Sequence, residues 1–76
     1  MLVNTAVDKK VPLEQLPDVQ RLIADVEQQL GDSGRVLVRY SGTESKVRVM
    51  IEGDNEARIK GWADDIAGAM QKSCRA

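Results

Sequence analysis

The chain has no histidine, no phenylalanine, one cysteine, one tyrosine and one tryptophan. A zinc set of the usual kind needs several Cys or His side chains, so none can be assembled here. The single thiol, Cys74, makes no internal disulfide. It reads as a free thiol in a fraying tail and fits a reducing compartment. So few aromatic rings leave no platform on which bases could stack. Formal net charge is −1, from 11 basic and 12 acidic residues, which supplies no overall field to draw in nucleic acid or an anionic membrane. No run is apolar and long enough to span a bilayer, and the N-terminus lacks the basic-then-apolar pattern of a signal peptide. Cytoplasm is therefore the expected location, with neither nucleic acid nor membrane as a partner.

Length adds a further bound. The 76 residues allow one small domain, 1–76, of marginal stability. A cleft with several catalytic groups needs more walls than such a chain supplies, so a complete active site is not expected.

Five elements can be read along the chain, in the order β-α-β-β-α. Leu2 to Val7 alternate loosely and include β-branched residues, which predicts a first strand. Pro12 and Pro17 bracket a turn, and Pro17 suits the first turn of a helix. Leu16, Val19, Leu22, Ile23, Val26 and Leu30 then recur at helical spacing, and Gly31 is placed to end that helix at positive φ. Gly31 to Gly34 reads as a loop. Arg35 to Tyr40 and Lys46 to Glu52 read as strands. Asp54 or Asn55 can cap a second helix, whose Ile59, Trp62, Ala63, Ile66, Ala67 and Met70 share a face. Gly61 and Gly68 weaken that helix. The expected fold class is α+β, a two-layer sandwich with two helices covering one face of a mostly antiparallel sheet.

The informative stretch is the hairpin. Side chains alternate across a sheet, so Val36, Val38 and Tyr40 share a face, as do Val47, Val49 and Ile51. Burying both triplets under the helices fixes the parity of the pairing: residue 39 opposes 46 or 48, never 47. Arg39 and Arg48 then lie across from each other, directly or on a diagonal, on the open face. Like charges so placed repel, and an anion between them would relieve the repulsion. The loop Ser41-Gly42-Thr43-Glu44-Ser45 offers three hydroxyls and, at Gly42, backbone amides unobstructed by a Cβ. Arginine supplies a planar fork of donors matched to phosphate oxygens. The same residues also permit a plain reading: Ser, Gly and Thr form ordinary loops, edge arginines serve solubility, and Glu44 or Glu52 could neutralise them.

Arg39-Tyr40-Ser41-Gly42-Thr43-Glu44, followed by Arg48-Val49-Met50-Ile51-Glu52-Gly53, resembles the C-terminal signature of the α-phosphohexomutases, within them most closely the phosphoglucosamine mutases. The likeness extends to the Val3-Asn4 strand, the Leu13-Glu14 turn and the Trp62 helix. It implies the fourth domain of a four-domain isomerase that converts glucosamine 6-phosphate to glucosamine 1-phosphate on the way to peptidoglycan precursors. The phosphoserine, a Mg²⁺ site and the sugar-binding loops are implied for the other three domains. They would be this chain's partners, together with the sugar phosphate. No cofactor and no catalytic group is implied for this domain, so the isolated chain is expected to be inactive. By the same resemblance Arg39, Ser41, Gly42 and Thr43 form a cradle for the substrate phosphate that is not transferred, and Arg48 is the second cationic contact. Glu44 either helps select the sugar or shapes the loop. One departure is visible: the family places proline after the glutamate, and this chain has Ser45, which leaves the loop freer before binding. Two other readings compete, the same domain of a phosphomannomutase or phosphoglucomutase, and a standalone small α/β interaction module.

Overall fold

A computed structural model describes residues 1–75. Three strands, β1 (Leu2–Ala6), β2 (Arg35–Tyr40) and β3 (Lys46–Glu52), form an antiparallel sheet in the order β1-β3-β2. Two helices, α1 (Pro17–Leu30) and α2 (Glu56–Ser73), complete the α+β fold. The last strand in the chain is thus the central one. Its burial alternates strictly at the start, with Val47, Val49 and Ile51 fully enclosed.

Local chemistry sets the element ends. Pro17 opens α1, where its missing N–H is no loss. Gly31 ends it at φ 56°, a region that favours glycine, and the Ser33 hydroxyl donates to the Leu30 carbonyl at 2.6 Å. A short 3₁₀ turn covers Gly31–Ser33 and another covers Leu13–Gln15. Asn55 caps α2 by accepting from the Arg58 amide at 3.1 Å. Gly34 lies where β2 begins beside the end of β3. A Cβ there would sit 1.9 Å from the Glu52 carbonyl oxygen, so only glycine lets the two backbones approach.

The core lies between the helices and one sheet face. Val19, Val26 and Leu30 of α1 meet Ile59, Ala63, Ile66, Ala67 and Met70 of α2 over Val47, Val49 and Ile51. Leu22, Ile23 and Trp62 pack at its margin, and the Arg58 guanidinium covers the Trp62 ring at 4.7 Å. Strand β1 ends at Ala6 rather than Val7; Val7 is nevertheless buried, and its amide donates to the Ser45 carbonyl.

The expected frayed tail is corrected at Cys74. Helix α2 continues to Ser73, and Cys74 follows it fully buried. Its carbonyl accepts from the amides of Asp8 and Lys9, each at 3.1 Å, and its Sγ lies 3.1 Å from the Tyr40 hydroxyl. The physical reason is that the apolar stripe of α2 needs a full last turn against the sheet, and the thiol is the small hydrophobe that closes it. The expectation of a frayed end at position 76 lies outside the described residues.

Two outcomes follow from this packing. Nothing lies within 4 Å of a Cβ added at Gly68, whose φ is not in the left-handed region, so Gly68→Ala should stabilise the domain by roughly 1 kcal/mol through helix propensity. A urea midpoint raised at unchanged slope is the check. Burial and the Cys74 contact push the Tyr40 phenol from its ordinary 10.0 up to about 12. The neutral phenol therefore favours the folded state. Its contribution is complete below pH 10 and lost as the pH rises towards about 12. Ultraviolet titration of this one tyrosine should show a midpoint well above that of the unfolded chain.

Candidate functional site

The pairing that buries the apolar triplets aligns the opposite face in rows. Val36 opposes Ile51, Val38 opposes Val49 and Tyr40 opposes Val47; Arg39 therefore directly opposes Arg48. On the other side of β3, Asn4 opposes Arg48. One row across the three strands thus reads Asn4–Arg48–Arg39. The neighbouring row, Leu2–Met50–Leu37, is apolar, with Leu2 and Leu37 exposed. Beyond the cationic row, Lys46 sits beside Ala6, and its carbonyl accepts from the Ser41 amide at 2.9 Å, which starts the loop.

The nearby carboxylates go elsewhere. Glu52 pairs with Arg35 at 3.1 Å and Glu44 with Lys46 at 3.1 Å, all four side chains at least half exposed. Among the described residues, neither Arg39 nor Arg48 has an ion pair or a side-chain hydrogen bond. Two guanidinium groups are held side by side by the backbone with no counter-ion among the described residues. At such a surface the repulsion is modest, a few tenths of a kcal/mol to about 1 kcal/mol. It is nevertheless a standing cost that a bound anion would reverse.

The loop borders this row. Ser41 Oγ accepts from the amides of Thr43 at 3.4 Å and Glu44 at 3.3 Å. Both contacts are long, and both amides converge on one oxygen, as they would on an oxygen of a tetrahedral anion. Asn4, Arg39, Tyr40, Ser41, Gly42, Glu44, Lys46 and Arg48 line one concavity of about 350 Å³. Of the residues singled out from the sequence, Arg39, Ser41, Gly42, Arg48 and Glu44 are brought together there. Thr43 is not among the lining residues; its amide faces Ser41 Oγ. Asn4 and Lys46 were not anticipated as site residues. Hairpin parity already put Lys46 on the Arg48 face, whereas Asn4 needs the β1–β3 register, which the sequence pattern does not fix.

The site is rich in donors: two guanidinium groups, the Lys46 ammonium, the Asn4 amide and the loop N–H groups, with Glu44 as its one carboxylate, paired with Lys46. It has no nucleophile with a base beside it. Among the described residues, no three His, Cys, Asp or Glu side chains come together as metal ligands. No helix among them is long and apolar enough to cross a membrane.

The family model described as phosphoglucomutase/phosphomannomutase, C-terminal domain, matches residues 2–69. The chain belongs to this family. It is 54% identical over 72 residues to a phosphoglucosamine mutase of Anaeromyxobacter sp., covering 95% of the chain and 15% of that protein. It is 53% identical over 72 residues to that of Myxococcus xanthus, covering 95% and 16%. Among solved structures, it superposes with a TM-score of 0.73 and 26% identity on an Aspergillus fumigatus N-acetylphosphoglucosamine mutase variant in complex with glucose 1,6-bisphosphate, covering 99% of this chain and 15% of that one. The same fungal enzyme with GlcNAc-6P and magnesium also gives 0.73, at 25% identity, covering 97% and 15%. The chain therefore spans about one-sixth of the length of the relatives it matches. As a member of this family it has the α+β fold of their C-terminal domain.

The opposed arginines generate a prediction that separates function from stability. Arg48→Leu should leave the free domain as stable as before or more stable, by up to about 1 kcal/mol, while removing its response to sugar phosphate. Paired denaturant curves and ligand titrations would show whether these two effects move in opposite directions.

Proposed function

We propose that residues 1–76 form the C-terminal phosphate-binding domain of a phosphoglucosamine mutase. In this reading the Asn4–Arg48–Arg39 row and the Ser41–Glu44 loop hold the substrate phosphate that is not being transferred. The observation that carries the reading is the uncompensated Arg39–Arg48 pair beneath a loop whose amides converge on one point. The identity to phosphoglucosamine mutases supports the choice of amino sugar, with glucosamine 6-phosphate as substrate and glucosamine 1-phosphate as product.

The domain's contribution is positioning and charge neutralisation. A mutase that passes a phosphoryl group between a serine and its sugar through a bisphosphorylated intermediate must grip either end of that intermediate. Contacts made to phosphate oxygens alone suit both ends. Without the phosphoserine of the parent enzyme, the isolated chain binds and does not turn over. The phosphoserine, the Mg²⁺ and the sugar-binding loops belong to the other three domains of the parent enzyme. Closure of this domain over them excludes water from the transfer. A cytoplasmic place at the head of peptidoglycan precursor synthesis accords with this activity. Thr43 completes the cradle by turning its amide or hydroxyl from Ser41 to the ligand, and Glu44 orders the loop through Lys46.

The test is a ¹H–¹⁵N spectrum of the chain titrated with glucosamine 6-phosphate at low salt. The expected result is a folded spectrum with shifts centred on Ser41 to Glu44 and on the Arg39 and Arg48 side chains. Affinity should be on the order of millimolar, about 4 kcal/mol for one phosphate held in an open loop. Arg39→Ala should remain folded and lose the response. A folded wild-type chain that shows no shifts well above millimolar ligand overturns the reading for this domain alone.

A further inference from the structure

We propose that Lys10 is a positioning residue that locks the Ser41–Gly42 peptide with its N–H turned towards the ligand. This rests on the phosphate-site reading above and adds a residue outside the cradle.

Lys10 lies 31 positions from Ser41 in sequence, yet its Nζ donates to the Ser41 carbonyl at 2.5 Å. The segment that carries Lys10 is anchored on both sides. Before it, the amides of Asp8 and Lys9 donate to the Cys74 carbonyl at the end of α2. After it, the Val11 carbonyl accepts from the Tyr40 hydroxyl. An exposed lysine ordinarily gains little from one surface contact, because ordering its long chain costs entropy. Here the backbone on which it stands is already pinned to the core, so only the side chain is left to order.

The consequence lies in the peptide plane. All peptides among the described residues are trans, and a trans peptide sends its carbonyl and the following N–H to opposite sides. With the Ser41 carbonyl held by Lys10, the Gly42 N–H points the other way. Ser41 and Gly42 line the concavity and Lys10 does not, so the carbonyl is drawn outward and the N–H is left facing the site. Gly42 needs such a lock. It has no Cβ, and nothing lies within 4 Å of where one would be, so no side chain of its own restricts the backbone at this position. The rotated form would aim a carbonyl oxygen at a phosphate oxygen, replacing an attraction by a repulsion.

The experiment compares the wild-type chain with Lys10→Met and Lys10→Arg, all ¹⁵N-labelled. Residual dipolar couplings of the Gly42 N–H are measured without ligand, followed by glucosamine 6-phosphate titrations at low and high salt. Lys10→Met should reorient or average the Gly42 N–H in the free chain and weaken binding about fivefold or more. The loss should persist at high salt, and Lys10→Arg should restore both readouts. An unchanged Gly42 coupling in Lys10→Met overturns the lock whatever the affinity does. A loss of affinity that vanishes at high salt overturns it too, since that is the mark of a screened charge alone. If the coupling changes but the wild-type chain binds no sugar phosphate, the lock stands as a device of the loop and the phosphate reading falls.

Discussion

Val47, Val49 and Ile51 are fully enclosed, and the rest of the hairpin depends on that. They occupy the central strand of a three-stranded sheet, lie against α2 and are flanked by a neighbouring strand on either side. A slip of the β2–β3 pairing by one residue would turn Val36, Val38 and Tyr40 to solvent and drive arginines into the core. Burial of each aliphatic side chain contributes about 1.5–3 kcal/mol, whereas repulsion between two exposed guanidinium groups costs about 1 kcal/mol at most. The apolar face therefore decides the register, and Arg39 and Arg48 have to oppose each other. The cationic row is a by-product of core packing.

That order of magnitudes also explains why so small a domain can hold an unneutralised charge pair. Of the four strand and loop cations near the open face, Arg35 and Lys46 are matched by Glu52 and Glu44, which leaves the middle of the face electropositive in a chain whose net charge is −1. Positive potential is concentrated at one place by subtraction elsewhere. An anion approaching the hairpin meets a local site, with little field from the remainder of the molecule to draw it to the wrong surface.

Much of this was legible from residue pattern. Period-two alternation in 35–40 and 46–52 was enough to deduce the parity, and helical spacing with Pro17, Gly31 and Asn55 located both helices, because those signals are local. The signals that failed were tertiary. Asn4 entered the site only through the β1–β3 register, which no local feature of the LVNTA segment specifies. Cys74 looked like tail because nothing in its sequence neighbourhood says that the last turn of α2 is needed against the sheet. Hairpin parity put Leu37 and Met50 on the open face, but Leu2 joined them only through the same β1–β3 register.

The buried Cys74 and the half-buried Tyr40 gain significance from what stands on them. Together they fasten the segment from Asp8 to Val11 to the end of α2 and the end of β2. That segment reaches the start of the loop through Lys10. The family's proline after the glutamate would stiffen the loop from inside by restricting φ; Ser45 gives up that restriction here. A tether from a core-anchored neighbouring segment restrains the loop from outside, at its other end. Stiffening at Ser41 rather than at Ser45 leaves Thr43 and Glu44 free to exchange the Ser41 hydroxyl for a ligand oxygen while the first peptide of the loop stays oriented. In the role proposed for this domain, a loop fixed at its entry and free at its tip would accept phosphates presented from more than one direction, as gripping either end of a sugar bisphosphate requires.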